Sequence, residues 1–492
     1  MVKINNISKQ FADKTVLKSV SFNLSHGEII GLIGENGSGK TTILKIINGS
    51  LSPDDGRIEK QNETIGYLGQ NPDFPPGISV GEFLRGKINS QEEYKIELVL
   101  RRVGLFSISF QTLTHSLSGG EKTRLYLASL LIADPTPTTL LLDEPTNNLD
   151  IDGINWLEEF LTEFGGNVIL VSHDRSLLDN VADKIIELSD GAIKTYGGNY
   201  SFYREQKEIE EKAYERLYVA QQKKIAKIEE DIKTTETRAR QGEINFGSGM
   251  PYQRRKIRKS AQQSVHRKKK LQKFLSSEKR LEKPEEKIKY FISLAAGQSH
   301  SEKTLIYAKN IDKSFGEKKV LDKLTFHLSG GERVWLAGLN GSGKSTLMKI
   351  IIGKIKMDGG SLEIGNNIKI GYFSQDHQDL DYENTVLDEF LKTGLAKTDC
   401  YKLAISFSFQ KEELTKKIKD LSMGQRAKVA FAKLTTGQYQ LLVLDEPTNH
   451  LEIKTREVIE EALNHYRGGL LVASHDRFFL ERIGINKIIN LT

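Results

Sequence analysis

Gly34-Glu35-Asn36-Gly37-Ser38-Gly39-Lys40-Thr41 is the stretch on which the fold turns. It follows the apolar run Ile29-Ile30-Gly31-Leu32-Ile33 and leads into Thr42-Ile43-Leu44-Lys45-Ile46-Ile47. A strand, a loop of the form G-x4-G-K-[ST] and a helix, in that order, make a phosphate loop. The glycines let backbone N–H groups curl around a β-phosphate, Lys40 brings a point charge toward the β- and γ-phosphates, and the Thr41 hydroxyl suits Mg²⁺. The same pattern returns 304 positions later as Gly338-Leu339-Asn340-Gly341-Ser342-Gly343-Lys344-Ser345, followed by Thr346.

Moving outward from the loops, each copy carries the same features in the same order. Phe11 and Phe315 precede the loops in turn-like segments, where an aromatic can stack on a nucleobase or pack as an ordinary satellite of the core. Gln70 and Gln375 follow. Then come Leu117-Ser118-Gly119-Gly120-Glu121 and Leu421-Ser422-Met423-Gly424-Gln425, each placed to open a helix whose free N–H groups and dipole favour a phosphate. The strands Leu140-Leu141-Leu142 and Leu441-Leu442-Val443-Leu444 end in Asp143-Glu144 and Asp445-Glu446. Two adjacent carboxylates there divide the labour: Asp143 faces a metal through water, and Glu144 polarises the attacking water as a general base. His173 and His475 close further strands in Ser-His-Asp, where a histidine reaches a γ-phosphate or simply caps the element. The near-constant offset of about 302–305 residues across five motifs means a duplicated domain.

Between the copies the composition changes. Residues 201–290 hold 25 Lys/Arg against 14 Asp/Glu, although the whole chain is only +6. The run Tyr200–Gln241 has neither Gly nor Pro, a Gly- and Pro-bearing break follows at 242–251, and a second polar run extends from Arg254 to about Lys283. Lys, Glu, Gln, Ala and Arg dominate both runs, so the segment predicts two helical arms joined by a turn. Arg254, Arg255, Lys256, Arg258, Lys259, Arg267, Lys268, Lys269, Lys270 and Lys273 fall within twenty residues that contain no acid. A solvated hairpin ordinarily mixes its charges; this density of one sign points to a polyanion such as RNA. Ile244, Phe246, Met250 and Pro251 give the predicted tip an apolar character.

Composition narrows the classes further. An apolar fraction of 38 % supports real cores, and the single cysteine, Cys400, excludes a disulfide framework or multi-cysteine zinc site. Met1-Val2-Lys3-Ile4-Asn5-Asn6 has no apolar h-region and no apolar run approaches 18 residues, so neither secretion nor membrane insertion is expected and the predicted location is cytoplasmic.

The ordered set of phosphate loop, Gln, Leu-Ser-Gly-Gly-Glu, Asp-Glu-Pro-Thr-Asn and Ser-His-Asp resembles the ATP-binding cassette (ABC) ATPases. Two such cassettes with a charged helical linker are similar to the ABC-F class of ribosome-bound translational ATPases. The resemblance implies an α/β fold with two P-loop ABC-type nucleotide-binding domains, 1–197 and 301–492, joined by a basic α-helical hairpin linker, 198–300. It implies Mg²⁺-dependent hydrolysis of ATP in a monomer whose cassettes pair face to face, and ribosomal RNA and tRNA as partners. Site one would join Gly34, Asn36, Gly37, Gly39, Lys40, Thr41, Thr42, Gln70, Asp143, Glu144 and His173 to Ser422 and Gly424. Site two would join Gly338, Asn340, Gly341, Gly343, Lys344, Ser345, Thr346, Gln375, Asp445, Glu446 and His475 to Ser118, Gly119 and Gly120. Glu144, Glu446, His173 and His475 would be catalytic, and Thr41, Gln70, Asp143, Ser345, Gln375 and Asp445 would serve the metal. Two departures predict unequal sites: Met423 replaces a glycine and cannot take the φ > 0 geometries a glycine takes freely, so site one is expected to hold phosphate less closely, and Glu452 stands where the first copy has Asp150. The Ser-x-Gly-Gln signature is similar to that of the antibiotic-resistance branch, and the 47 residues between Gln70 and Ser118 leave little room for the extra arm of housekeeping members. A housekeeping translation factor and the ATPase subunit of a transporter are the alternatives.

Overall fold

Strand Thr139–Asp143 shows why the sequence forms a buried parallel sheet: every residue in it is buried. Such a strand needs cover on both faces, and each fully buried Leu is worth about 1.5–3 kcal/mol there. In the computed structural model the first repeat orders its six-stranded sheet as Ile65–Leu68, Thr139–Asp143, Asn167–Val171, Ile29–Gly34, Lys184–Ser189, Ala192–Gly197. All neighbours are parallel except the last pair. The second repeat orders Ile370–Phe373, Leu441–Asp445, Gly469–Ala473, Arg333–Ala337, Lys487–Asn490 in the same way. A three-stranded antiparallel sheet flanks each: Lys14–Leu24, Val2–Phe11, Asp55–Lys60 in one, and Lys318–Ser329, Thr304–Phe315, Gly359–Ile364 in the other.

The structure describes residues 1–12, 14–70, 72–88, 93–147, 149–245, 251–276, 280–281, 303–374, 377, 379–407, 409–449 and 451–491, without side chains at 238–240, 242–245, 251–254, 256–257, 260–261 and 263. Gln375, Phe246 and Met250 lie outside the described residues, as do the side chains of Ile244, Pro251, Arg254 and Lys256.

Contacts divide the chain into two compact units, Met1–Tyr203 with Tyr290–Thr492, and Arg204–Lys289. Both repeats belong to the first. Each phosphate loop leaves the C-terminal end of a central strand and enters a helix, Lys40–Asn48 or Lys344–Ile351. Open α/β sheets place ligands at these strand ends. The segment between Gln70 and Ser118 holds the helices Val80–Arg85 and Tyr94–Arg102. Its counterpart in the second repeat holds Val386–Leu391 and Lys397–Ser406. No additional helix distinguishes the first copy among the described residues.

The second unit has two helices, Tyr200–Asn245, which begins in the first unit, and Pro251–Leu275. The first arm therefore runs four residues past the break expected at Gly242, and 46 residues make it about 69 Å long. One glycine costs a helix only about 1 kcal/mol, which the long polar run on its N-terminal side outweighs. The second helix starts at Pro251, where a proline's missing N–H costs nothing, and ends eight residues short of Lys283. Ile225, Ile232 and Ser264 are buried within this unit, and Ser264 Oγ donates to Glu236 Oε1 at 3.0 Å.

Candidate active sites

Two cavities lie between the repeats, and each draws its walls from both. The smaller, about 410 Å³, is lined by Phe11, Asn36, Gly37, Gly39, Lys40, Thr41, Thr42, Gln70, Glu144 and His173 from the first repeat, with Ser422, Met423 and Gly424 from the second. The larger, about 650 Å³, is lined by Phe315, Asn340, Gly341, Gly343, Lys344, Ser345, Thr346, Asp445, Glu446 and His475, with Gly119 from the first. The motifs thus meet in the crossed arrangement expected from sequence. Gly34, Gly338, Ser118, Gly120 and Asp143 do not line these cavities.

Local chemistry explains each loop. Gly39 has φ 110° and a Cβ there would stand 2.6 Å from Val16 Cγ1; Gly343 has φ 99° and would meet Val320 Cγ1 at 2.7 Å. Only glycine satisfies both constraints. Lys40 Nζ donates to the carbonyls of Gly34 at 2.8 Å and Glu35 at 3.1 Å, and Lys344 Nζ to those of Gly338 at 2.6 Å and Leu339 at 3.0 Å. Burial lowers the pKa of both ammoniums, opposed by Glu144 and Glu446.

Glu144 and Glu446 are almost fully buried and adopt left-handed backbone, φ 52° and 49°. That conformation is strained for a residue with a Cβ and recurs at functional sites. Their amides are pinned to the neighbouring strand, Glu144 N to Val171 O at 2.8 Å and Glu446 N to Ala473 O at 2.9 Å. Burial pushes both carboxyls up to about 7, a value suited to a base working near neutral pH. His173 N donates to Glu144 Oε2 at 3.2 Å, and its Nε2 stands 3.4 Å from Oε1. His475 repeats this at 3.4 and 3.3 Å with Glu446. Burial first, then the nearby lysine, holds both imidazoles neutral, His173 well below its usual range and His475 down to about 4.

The residues fit a phosphate with its metal. Ser38 Oγ and Ser342 Oγ are buried without a hydrogen-bond partner inside the two phosphate loops. The Asp143 oxygens likewise make no hydrogen bond, although the Thr41 hydroxyl lies near enough to favour the charged form against the burial that raises its pKa. Among the described residues no cluster of three His, Cys, Asp or Glu could hold a metal alone. Mg²⁺ is commonly held by one or two carboxylates plus substrate phosphates, and Asp143 beside the Thr41 hydroxyl offers such a carboxylate. Tyr67, beside Asp143, was not singled out by motif; burial first, then the carboxylate, pushes its phenol up to about 12.

The signatures are helix starts. Ser118 accepts from Glu121 N at 3.3 Å while Glu121 Oε2 accepts from Ser118 N at 2.8 Å; Ser422 and Gln425 repeat this capping box at 3.2 and 2.9 Å. Met423 occupies the first position of helix Met423–Thr435, as Gly119 does in Gly119–Ile132. Neither residue has positive φ, which corrects the expectation that Met423 fails for want of glycine's backbone freedom. What distinguishes it is a side chain in the smaller cavity.

The repeats are held by charged pairs that follow a pseudo-twofold. Arg175 bonds Glu460, and Arg477 Nη2 donates to Glu158 Oε1 at 3.0 Å, with each partner 302 positions from its counterpart. The Arg175–Glu460 pair is buried, so removing one partner costs about 3–5 kcal/mol. Two contacts break the symmetry. Asp150 caps its own helix through Gly153 N at 3.0 Å, whereas Glu452 makes no side-chain cap and reaches across to Asn36 N at 3.1 Å. Arg456 lines both cavities and donates through Nη1 to His173 O at 3.0 Å, where the first repeat has Ile154. No motif pointed to Arg456, but comparing the copies residue by residue at the 302 offset exposes it.

The profile described as ABC transporter matches residues 17–147 and 321–449, and a second of the same description matches 186–292. The ribosome protection protein VmlR of Bacillus subtilis (strain 168) is 34 % identical over 99 % of this chain and 86 % of its own length. ABC transporter F family member 5 of Arabidopsis thaliana is 32 % identical over 100 % of this chain and 76 % of its own. Among solved structures, RNase-L Inhibitor superposes with TM-score 0.64 at 19 % identity over 99 % of this chain and 87 % of that one, a likeness of fold.

Proposed function

The chain belongs to the ABC transporter family, in its F branch of tandem ATP-binding cassettes, and we propose that it binds the ribosome and uses ATP binding and hydrolysis to protect translation from ribosome-directed antibiotics. Two cavities each walled by the phosphate loop of one cassette and the signature of the other carry the ATPase part of this reading. The domains divide as 1–197, 198–300 and 301–492. Phe11 and Phe315 stack on the bases, and Lys40 and Lys344 hold the phosphates. Glu144 and Glu446 take the proton from an in-line water, oriented by His173 and His475. Thr41, Gln70 and Asp143, or Ser345, Gln375 and Asp445, would hold Mg²⁺, which when bound would supply neutralisation of charge on the phosphates.

The ribosomal part rests on the basic helix and on the relative named as a ribosome protection protein. Arg255, Arg258, Lys259, Arg267, Lys269, Lys270 and Lys273 are exposed, and Lys268 pairs with Glu236 at 2.6 Å. Among the described residues no helix is long and apolar enough to cross a membrane. Pelleting purified 70S ribosomes with the protein and a non-hydrolysable ATP analogue tests this directly. The protein is expected to pellet with ribosomes only when nucleotide is present. Absence from the pellet, with recovery on membrane vesicles instead, would replace the reading with a transporter subunit. Growth of a sensitive host across ribosome-targeting drugs then separates protection from a housekeeping role.

The two sites are expected to differ. Met423→Gly, which relieves the smaller cavity of a side chain, should tighten ATP at site one by about fivefold, the equivalent of about 1 kcal/mol. An unaltered affinity, read by fluorescent nucleotide titration, would mean the thioether stands clear of the phosphate path.

A further inference from the structure

We propose that Arg456 is a positioning residue through which the second cassette sets the hydrolytic geometry of the first cassette's site, an asymmetric coupling that site two lacks. The proposal rests on reading both cavities as ATP sites.

Within its own cassette, Arg456 donates from Nε to Leu451 O at 3.0 Å and from Nη1 to Asp476 Oδ2 at 2.9 Å. The same Nη1 crosses to His173 O at 3.0 Å. His173 is thereby gripped at both ends: its N–H reaches Glu144 Oε2 at 3.2 Å, and its carbonyl reaches the opposite cassette. Arg456 is 8 % exposed and its bond to His173 O is partly buried, so it competes less with water than a surface contact does. At the other site the equivalent residue is Ile154, a hydrocarbon that cannot donate to His475. His475 Nε2 instead lies 3.2 Å from Asn340 Oδ1 of its own cassette. Parting of the cassettes would release the carbonyl anchor of His173 and leave the Asn340 contact of His475 in place. The carbonyl anchor of His173 is therefore made only on closure, whereas the contact that holds His475 lies within its own cassette.

Arg456 can be removed without stranding its carboxylate partner. Asp476 keeps Arg175 at 3.5 Å and caps its own helix by accepting from Phe479 N at 2.8 Å. Arg456→Met retains the aliphatic stem and loses the donors.

Single-site turnover tests the idea, with Glu446→Gln leaving site one active and Glu144→Gln leaving site two. Arg456→Met is expected to lower kcat by about tenfold or more in the first background, with KM for ATP changed less than about threefold, because a slight misplacement near the chemistry is costly. The fall in the second background should be at least about fivefold smaller, and Arg456→Lys should restore part of site one's rate. A purely structural role moves both sites together. Equal losses in the two backgrounds, no loss at site one, or a loss wholly in KM would overturn the proposal. If Arg456→Met does not fold, as judged by melting, Arg456→Lys decides: a loss confined to site one supports the coupling, and an equal loss or none overturns it. Wild-type protein without ATPase activity, or unmodified Glu→Gln parents turning over at the wild-type rate, would instead defeat the underlying reading of the cavities.

Discussion

Turnover of ATP is expected to fall by roughly 10²–10⁴-fold when Glu144 and Glu446 are both replaced by Gln. Each glutamate is buried at a strand end, held in left-handed backbone, with a carboxyl near pKa 7 and a neutral histidine beside it. An amide of the same shape still accepts the His173 or His475 N–H through its oxygen, so the local structure should persist. What it cannot do is take a proton from water. ATP affinity should therefore remain close to wild type while phosphate release collapses, and the doubly substituted protein should accumulate in its closed, ATP-bound form. If it binds ribosomes in that form, it should stay on them and inhibit translation. Phosphate release and nucleotide titration measured on one preparation separate the outcomes. Wild-type turnover would place the base elsewhere, and lost ATP binding would make the two glutamates structural.

The fold, and much of the lining of the two candidate cavities, were legible because a phosphate-loop pattern demands particular residues at particular spacings. Gly39 and Gly343 are readable as glycines that nothing else could replace, given φ above 90° and a valine methyl 2.6–2.7 Å from any added Cβ. Fully apolar strands ending in Asp-Glu are equally plain, since a strand with no polar face must be covered on both sides. Interactions between the copies were less legible. Glu452 could be noticed as a departure from Asp150, but its reach to Asn36 N depends on how the two halves meet. Arg456 carries no motif, and its bond to His173 joins residues 283 positions apart. Met423 shows the opposite error: a glycine-rich motif suggested backbone freedom where the position is ordinary right-handed helix, so the difference lies in the side chain. The helical arms were placed correctly by composition and wrongly by a few residues at their ends, because Gly242 does not stop a helix with strong flanking propensity and Pro251, read as part of the turn, is itself the first residue of the second helix.

Neutralising Arg255, Arg258, Lys259 and Lys269 together is expected to weaken ribosome binding by as much as about 10³-fold at 0.1 M salt. Each phosphate contact contributes about 0.7–0.9 to the slope of log K against log salt, so four lost contacts remove about 3 from that slope. The four side chains are exposed on helix Pro251–Leu275, in a run whose only neighbours in charge are also positive. Lys268 is the poorer choice, since Glu236 already takes it at 2.6 Å, although an exposed pair of this kind is worth little. Changing charge on an exposed face leaves the buried Ile225, Ile232 and Ser264 alone, so the melting temperature should hold and the loss can be assigned to the missing cations. The slope is more telling than the affinity. A mutation that merely disturbed docking would weaken binding at all salt concentrations equally, while loss of phosphate contacts must flatten the dependence, because fewer counterions are released. Affinity measured by sedimentation at several salt concentrations gives both quantities. An unchanged slope would show that this helix does not meet RNA, and the cassettes alone would have to account for binding to the ribosome.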